Sequence, residues 1–436
     1  AALLDIHWNI TDYYTLKGGF SYKKFDFDTT PSRRDTSVCG GGLYPCGEGE
    51  YGAPGTAELS DAYVYPGRVG QGSNTTWAAP SLKGWTEYFD LYNLPANLNF
   101  GSNRAVEEEN TGYWIQLDGQ HLFGNMDFYY NAGVRYIETE QQSSGWNSGV
   151  WVTVDRPKYD DTLPALNAAL WVTPELVIRG SWAETMSRPS LSQLSPGGSV
   201  DSFNYEIRYN NPFLDPTRSE NLDFSAEWYF AEEAVIALAW FQKDIESFPI
   251  RSSRTGTFAE TGLPREVIVP TSPADENLEG TCGIPEGCWE ISELLNGPGA
   301  KLDGWELAFQ APFDVLFGEN WPVWRNMGLV ANYTKVDSNV EYDYSGNIVT
   351  APLLNTSEDS YNLTVYYEIS NFSARISWAH RSGYNQSGPN RSGNLWQFVN
   401  DSTYVDFSMN YILNENWNFT FEALNLTDEA FDAMVD

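Results

Sequence analysis

Residues 219–231 read Ser-Glu-Asn-Leu-Asp-Phe-Ser-Ala-Glu-Trp-Tyr-Phe-Ala. Leu222, Phe224, Ala226, Trp228 and Phe230 share one parity; Asn221, Asp223, Ser225, Glu227 and Tyr229 share the other. Successive side chains of a strand point to opposite faces, so this stretch predicts a strand with one apolar and one polar wall. The alternation returns. Val405, Phe407, Met409 and Tyr411 alternate with Tyr404, Asp406, Ser408 and Asn410. Tyr361, Leu363, Val365 and Tyr367 alternate with Asn362, Thr364 and Glu368, and Phe372, Ala374, Ile376 and Trp378 with Ser373, Arg375 and Ser377. One such strand would suit a soluble sandwich. Many in series, aromatic-tipped and joined alternately by short turns and very long loops, predict an all-β fold, a transmembrane antiparallel β-barrel of the outer membrane.

About fourteen strands are expected, in hairpins near 2–10/14–28, 107–120/125–140, 159–172/175–188, 219–230/234–250, 300–312/324–338, 355–369/371–382 and 402–413/416–424. Turns within pairs are short, as at Thr173-Pro174 and Asn414-Glu415, except for 313–323. Connections between pairs are long: 29–106, 141–158, 189–218, 251–299, 339–354 and 383–401. Short periplasmic turns and long extracellular loops are the asymmetry of a membrane barrel. No separate second domain is evident over 1–436, and both termini read as cut edges of a longer protein.

Composition agrees. Aromatic residues make up 15%, which suits interfacial girdles. No run of about 18 apolar residues exists, which excludes a transmembrane helix but not a barrel. The net charge is −34, so nucleic acid is not a partner. The acidity predicts solvated loops, with Glu107-Glu108-Glu109 and Asp160-Asp161 as candidates for divalent cations. No resident metal or cofactor is expected. Cys39/Cys46 and Cys282/Cys288 form two close pairs in Gly- and Pro-rich segments, which suits disulfide loops in an oxidising compartment; with only 3 His in the chain, zinc is the weaker reading.

Several segments resemble the C-terminal barrel of TonB-dependent outer-membrane receptors. In order they are Thr185-Met186-Ser187-Arg188-Pro189, Asn211-Pro212-Phe213-Leu214-Asp215-Pro216, Arg218 to Asp223, Phe241 to Phe248, Gly304 to Gln310, and Glu422-Ala423-Leu424-Asn425-Leu426-Thr427-Asp428-Glu429. The variants are most similar to a large proteobacterial branch often linked to oligosaccharide uptake. The resemblance implies a 22-stranded barrel whose remaining strands, lumen plug and TonB-contacting segment lie outside this chain. It also implies a location in the bacterial outer membrane among its lipid, coupling to the TonB complex, and import of a bulky solute without chemistry by the barrel. A surface lipoprotein is a further candidate partner. Arg188-Pro189 and Asn211-Pro212 also have a purely structural reading, since proline ends ladders.

The long loops carry Trp77, Trp85, Tyr88, Tyr92, Trp146, Trp151, Tyr205, Tyr209, Asn210, Trp289 and Trp396. Sugar faces stack on such rings and amides bond hydroxyls, so these are the candidate substrate-binding residues for an oligosaccharide. Each also has a plain reading as girdle or loop core. A receptor for anionic iron chelates (siderophore or haem) would want a basic mouth, and Arg208, Arg218, Arg251 and Arg254 are outnumbered by acids. A passive porin is the rival class. A hydrolase would need a nucleophile and base; His380 near Asp401 and Ser402 is the one usable histidine, without a motif, so no enzyme and no catalytic residue is expected.

Overall fold

The computed structural model describes residues 1–34, 64–65, 79–80, 96–98, 102–147, 150–202, 204–263, 265–268, 274, 288–318, 325–344, 347–388 and 396–435. The strands in chain order are β1 (Ala2–Thr11), β2 (Tyr14–Thr29), β3 (Ser32–Arg34), β4 (Val64–Tyr65), β5 (Ala79–Pro80), β6 (Ala96–Leu98), β7 (Arg104–Phe123), β8 (Met126–Asn147) and β9 (Val150–Thr173). They continue with β10 (Leu176–Ser187), β11 (Gly198–Asp201), β12 (Glu206–Tyr209), β13 (Thr217–Ala231), β14 (Ala234–Ile245), β15 (Pro249–Gly256), β16 (Trp289–Asn296), β17 (Ala300–Pro312) and β18 (Met327–Tyr344). The last are β19 (Asn347–Ala351), β20 (Asp359–Ile369), β21 (Phe372–Arg381), β22 (Tyr384–Ser387), β23 (Gln397–Val399), β24 (Ser402–Asn414), β25 (Trp417–Ala423) and β26 (Ala433–Val435).

One large antiparallel sheet runs β1-β2-β7-β8-β9-β10-β13-β14-β17-β18-β20-β21-β24-β25, with β19 on the side of β18. These fourteen wall strands are the ones the alternation predicts. Consecutive neighbours in space are consecutive wall strands in sequence, the up-and-down order that short turns impose. The wall has an apolar outer face. Phe224, Trp240 and Trp305 are successive cross-strand partners on it. Near the short turns, His121 stacks with Tyr130 and Phe128 with Tyr130, an aromatic band at one rim. Phe20 against Tyr113 belongs to the other. Apolar walls bounded by aromatic bands are how a barrel meets lipid.

Two of the loops expected from sequence are instead strand. Segment 141–158 continues β8 and β9 to residues 147 and 150, with Trp146 opposite Trp151. Segment 339–354 extends β18 and folds back as β19. Both segments do alternate, with Val150, Val152 and Val154 in one and Val340 and Tyr342 in the other, but their Gly-, Ser- and Asn-containing bends read as loop composition. The longer connection at 313–323 begins with one helical turn, Phe313–Phe317. A three-stranded sheet, β22-β23-β26, forms on the long-loop side.

Candidate functional site: a polar inner wall and its cap

The inner face of the wall is polar across strand after strand. Asn9, Thr15, Asp118, Asn131, Asn167, Ser181 and Asp223 form one row of cross-strand partners from β1 to β13. Their groups bond one another. Asn167 donates to Asn131 at 2.9 Å, Ser181 to Asp223 at 3.1 Å, and Lys17 pairs with Asp118. Arg179 pairs with Glu227 at 2.8 Å. Farther along, Asn362 donates to Asn332 at 3.0 Å and Arg375 to Ser408 at 2.8 Å. A concavity of about 660 Å³ on the wall is lined by Asp118, Asn131, Asn167, Arg179, Asp223 and Glu306. Its polar part is a surface for hydroxyls, amides or water, with Asp118 and Asp223 each held by a donor.

Over the long-loop end lies a cap. Segments 198–209 and 249–296 contribute a four-stranded sheet, β11-β12-β16-β15, in which β12 and β16 run parallel. One face of this sheet buries Ile207, Trp289 and Ile291 with Phe258 and Ile268. The other face sends Leu294 against Leu194, Leu214 and Val106, the last on the wall strand β7. Two arginines tie the segment between β10 and β13 to the inner wall: Arg156 of β9 donates to Asp215 at 2.6 Å, and Arg188, just past β10, donates to Thr139 at 3.0 Å beside the buried Glu108. A third, Arg218 at the start of β13, donates to Asp161 of β9 at 2.5 Å, within the wall itself. Gln141 donates to the carbonyl of Pro212 at 2.9 Å. Each wall-side group here is buried (Glu108, Thr139, Gln141 and Asp161), and a buried charge persists only when paired. Gly197, at φ 88°, passes so close to the β8–β9 hairpin that a Cβ would lie 2.0 Å from the Trp146 carbonyl oxygen. Only glycine fits there.

The cap redistributes the candidate residues. Trp289 is 1% exposed and packs edge-on against Tyr205 at 5.4 Å, with Phe258 at 5.3 Å. Tyr209 leans on the same core, and burial raises its phenol above the usual value against a hydrogen bond from Thr261. Asn210, just after β12, donates to the Ser192 carbonyl at 3.3 Å and to Ser195 at 3.1 Å, holding the turn before β11. Trp146 and Trp151 meet edge-on at 6.0 Å on the hairpin face opposite Gly145, which abuts Pro196 of the cap segment. Trp396 packs edge-on against Tyr342 at 6.1 Å. Thus Tyr205, Tyr209 and Trp289 come together, but as cap core. Trp77, Trp85, Tyr88 and Tyr92 lie outside the described residues, as do Cys39, Cys46 and Cys282; Cys288 is described, but neither cysteine pair is complete.

The acids proposed for cations have other partners. Glu107 and Glu109 both meet Lys24, while Glu108 and Asp161 face Arg188 and Arg218. Among the described residues no group of three or more His, Cys, Asp or Glu is placed to hold a metal ion. His380 bonds Thr403 at 2.8 Å and stacks on Tyr361. Sequence reasoning missed Arg156, Thr139 and Gln141 as anchors. The one available signal was the pair Arg188-Pro189 and Arg218, which bracket the capping segment.

The fold and this site define a class: a membrane β-barrel with a polar interior and a folded cap over one mouth. The sequence matches the family model described as TonB dependent receptor-like, beta-barrel, over residues 2–426. The chain belongs to this family and is a bacterial outer-membrane protein. Among solved structures, the unliganded ferric citrate transporter FecA is similar with a TM-score of 0.52 at 12% identity, over 98% of this chain and 49% of that one. The copper transporter OprC gives 0.57 at 12% identity, over 99% and 51%. The apoprotein form of the FrpB iron transporter from Neisseria meningitidis gives 0.55 at 10% identity, over 99% and 52%. The chain therefore spans about half the length of these structures, and at these identities the likeness is one of fold. No curated protein sequence matches it.

Proposed function

We propose that this chain is barrel wall of a TonB-coupled importer for a bulky polar solute, an oligosaccharide. The observation that carries the reading is the continuous polar row from Asn9 to Asp223 on the inner face, beneath a cap whose Leu294 packs on Val106 of the wall. A bilayer tolerates only closed barrels. The sheet has two edges, β1 and β25, so further strands close it, and a plug fills it, in a longer receptor. Amides and hydroxyls such as Asn131, Asn167, Asn332 and Thr364 suit sugar hydroxyls better than a hydrophobic solute. A ferric chelate is the second reading. It is supported by the arginines of the cap, and the names of the similar structures include a ferric citrate transporter.

The test is uptake of labelled oligosaccharides by cells carrying the intact receptor, with and without TonB. Saturable uptake that disappears without TonB is the expected outcome. Uptake that is unsaturable and indifferent to TonB would return the protein to the passive porins. Uptake of ferric chelates alone would keep the importer and replace its solute.

A further inference from the structure

We propose that the cap carries an anion-binding site built on Arg251 and Arg208, which receives a carboxylate, sulfate or phosphate group of the imported solute. This rests on the importer reading. The sequence names four arginines in and beside the long loops, outnumbered there by acids: Arg208, Arg218, Arg251 and Arg254. Three are engaged with carboxylates. Arg218 meets Asp161, Arg254 meets Glu260 at 3.1 Å, and Arg208 meets Glu206 at 2.7 Å. Arg251 has no ion pair among the described residues. Its Nη1 donates to the Tyr209 carbonyl at 3.2 Å and to Ser292 Oγ at 3.2 Å, both neutral acceptors. A guanidinium has further donors to spare.

A charge of like sign acts on it. Arg208 lies across β16 from Arg251 and, after burial, is the second cause of a lowered Arg251 pKa. The strand registers explain the approach. Arg208 is the partner of Ser292, and Arg251 the partner of Leu294, two residues along the same strand. Ser199, Arg208, Ser292 and Ser253 thus form one row across all four strands, with Arg251 diagonal to Arg208. This is the face whose Leu294 meets the inner wall, so both cations belong to the barrel side of the cap. The Arg208–Glu206 pair is on one strand and exposed, the kind of pair that contributes little and yields to a better ligand. The two guanidinium groups share one face of the sheet, with Glu206 and Glu290 in the next row; Arg208 is held by Glu206, and Arg251 meets no carboxylate among the described residues, so an anion near it would be the first partner of its charge. Forked donors match carboxylate, sulfate and phosphate oxygens. Two solute types carry such a group: an acidic, uronate-bearing oligosaccharide and a ferric chelate with free carboxylates.

The experiment titrates the intact, detergent-purified receptor by calorimetry at fixed ionic strength with sulfate, citrate, trigalacturonate, ferric citrate and neutral maltotriose. At least one anion should bind saturably. Arg251→Gln should weaken it by about tenfold or more, the loss of a charge-assisted contact. Arg254→Gln, which removes a cation already paired with Glu260, should change it little. Arg251→Lys keeps the charge without the fork and should fall between. Trigalacturonate as the tightest probe identifies a uronate; ferric citrate as the tightest identifies a chelate. Silence from every anion, or anion binding indifferent to Arg251→Gln, overturns the site. Binding of maltotriose unaltered in Arg251→Gln, without anion binding, overturns the site and leaves the importer standing. Arginine-dependent anion binding without TonB-dependent uptake does the reverse.

Discussion

The wall around β13 and the cap around β16 use the same alternation and resolve it in opposite ways. On the wall, Phe224 is 51% exposed and Trp228 53%, while Asn221 and Asp223 line the interior. In the cap, Trp289 and Ile207 are each 1% exposed, and Arg208 lies on the opposite face of its strand. Both arrangements remove apolar groups from water. The wall delivers them to lipid, and the cap delivers them to each other. Exposure of a large apolar residue is therefore a fault in one half of this molecule and a requirement in the other.

Three substitutions sharpen that contrast. The largest effect is expected from Trp289→Ala, at about 3–5 kcal/mol for a fully buried tryptophan. The loss should be confined to the cap: hydrogen exchange should accelerate in β11, β12, β15 and β16 while wall amides keep their protection. Acceleration throughout the wall would mean that the cap is not a separate unit of stability. Next is Leu238→Arg, on the outer face between Ala226 and Leu307. A charge there should cost about 2–4 kcal/mol at the bilayer midplane, read as a shifted denaturant midpoint in lipid vesicles. A neutral result would place Leu238 off the lipid face. The smallest is Arg218→Met, which leaves the buried Asp161 of β9 without its partner on β13, for about 1–3 kcal/mol within the wall near the long loops. Adding Asp161→Leu should restore much of the loss. Failure of the pair to recover would show that Arg218 stabilises the wall through contacts other than Asp161.

The wall was legible in the sequence because lipid and lumen impose opposite demands on adjacent residues. The fourteen strands follow from Phe224, Trp228 and their equivalents, with only the ends misplaced. The cap was hidden. Its strands are short, from four to eight residues, and its parallel pairing joins Ile207 to Ile291 across a long stretch of chain. Trp289 and Tyr205 were legible as aromatic loop residues, but whether a ring faces solute or core depends on what folds over it. Arg156 and Thr139 gave no local signal, because their partners Asp215 and Arg188 come from a segment that returns across the wall.

The sequence by itself determined the class of wall, its polarity and its family, since period-2 patterning and turn length are properties of neighbours along the chain. Only the tertiary structure decided which loop segments fold together, which aromatic rings are core, and that Arg251 of the cap meets no carboxylate among the described residues. Those depend on residues far apart in sequence meeting at one place, and composition counts 25 basic and 59 acidic residues without saying which ones touch.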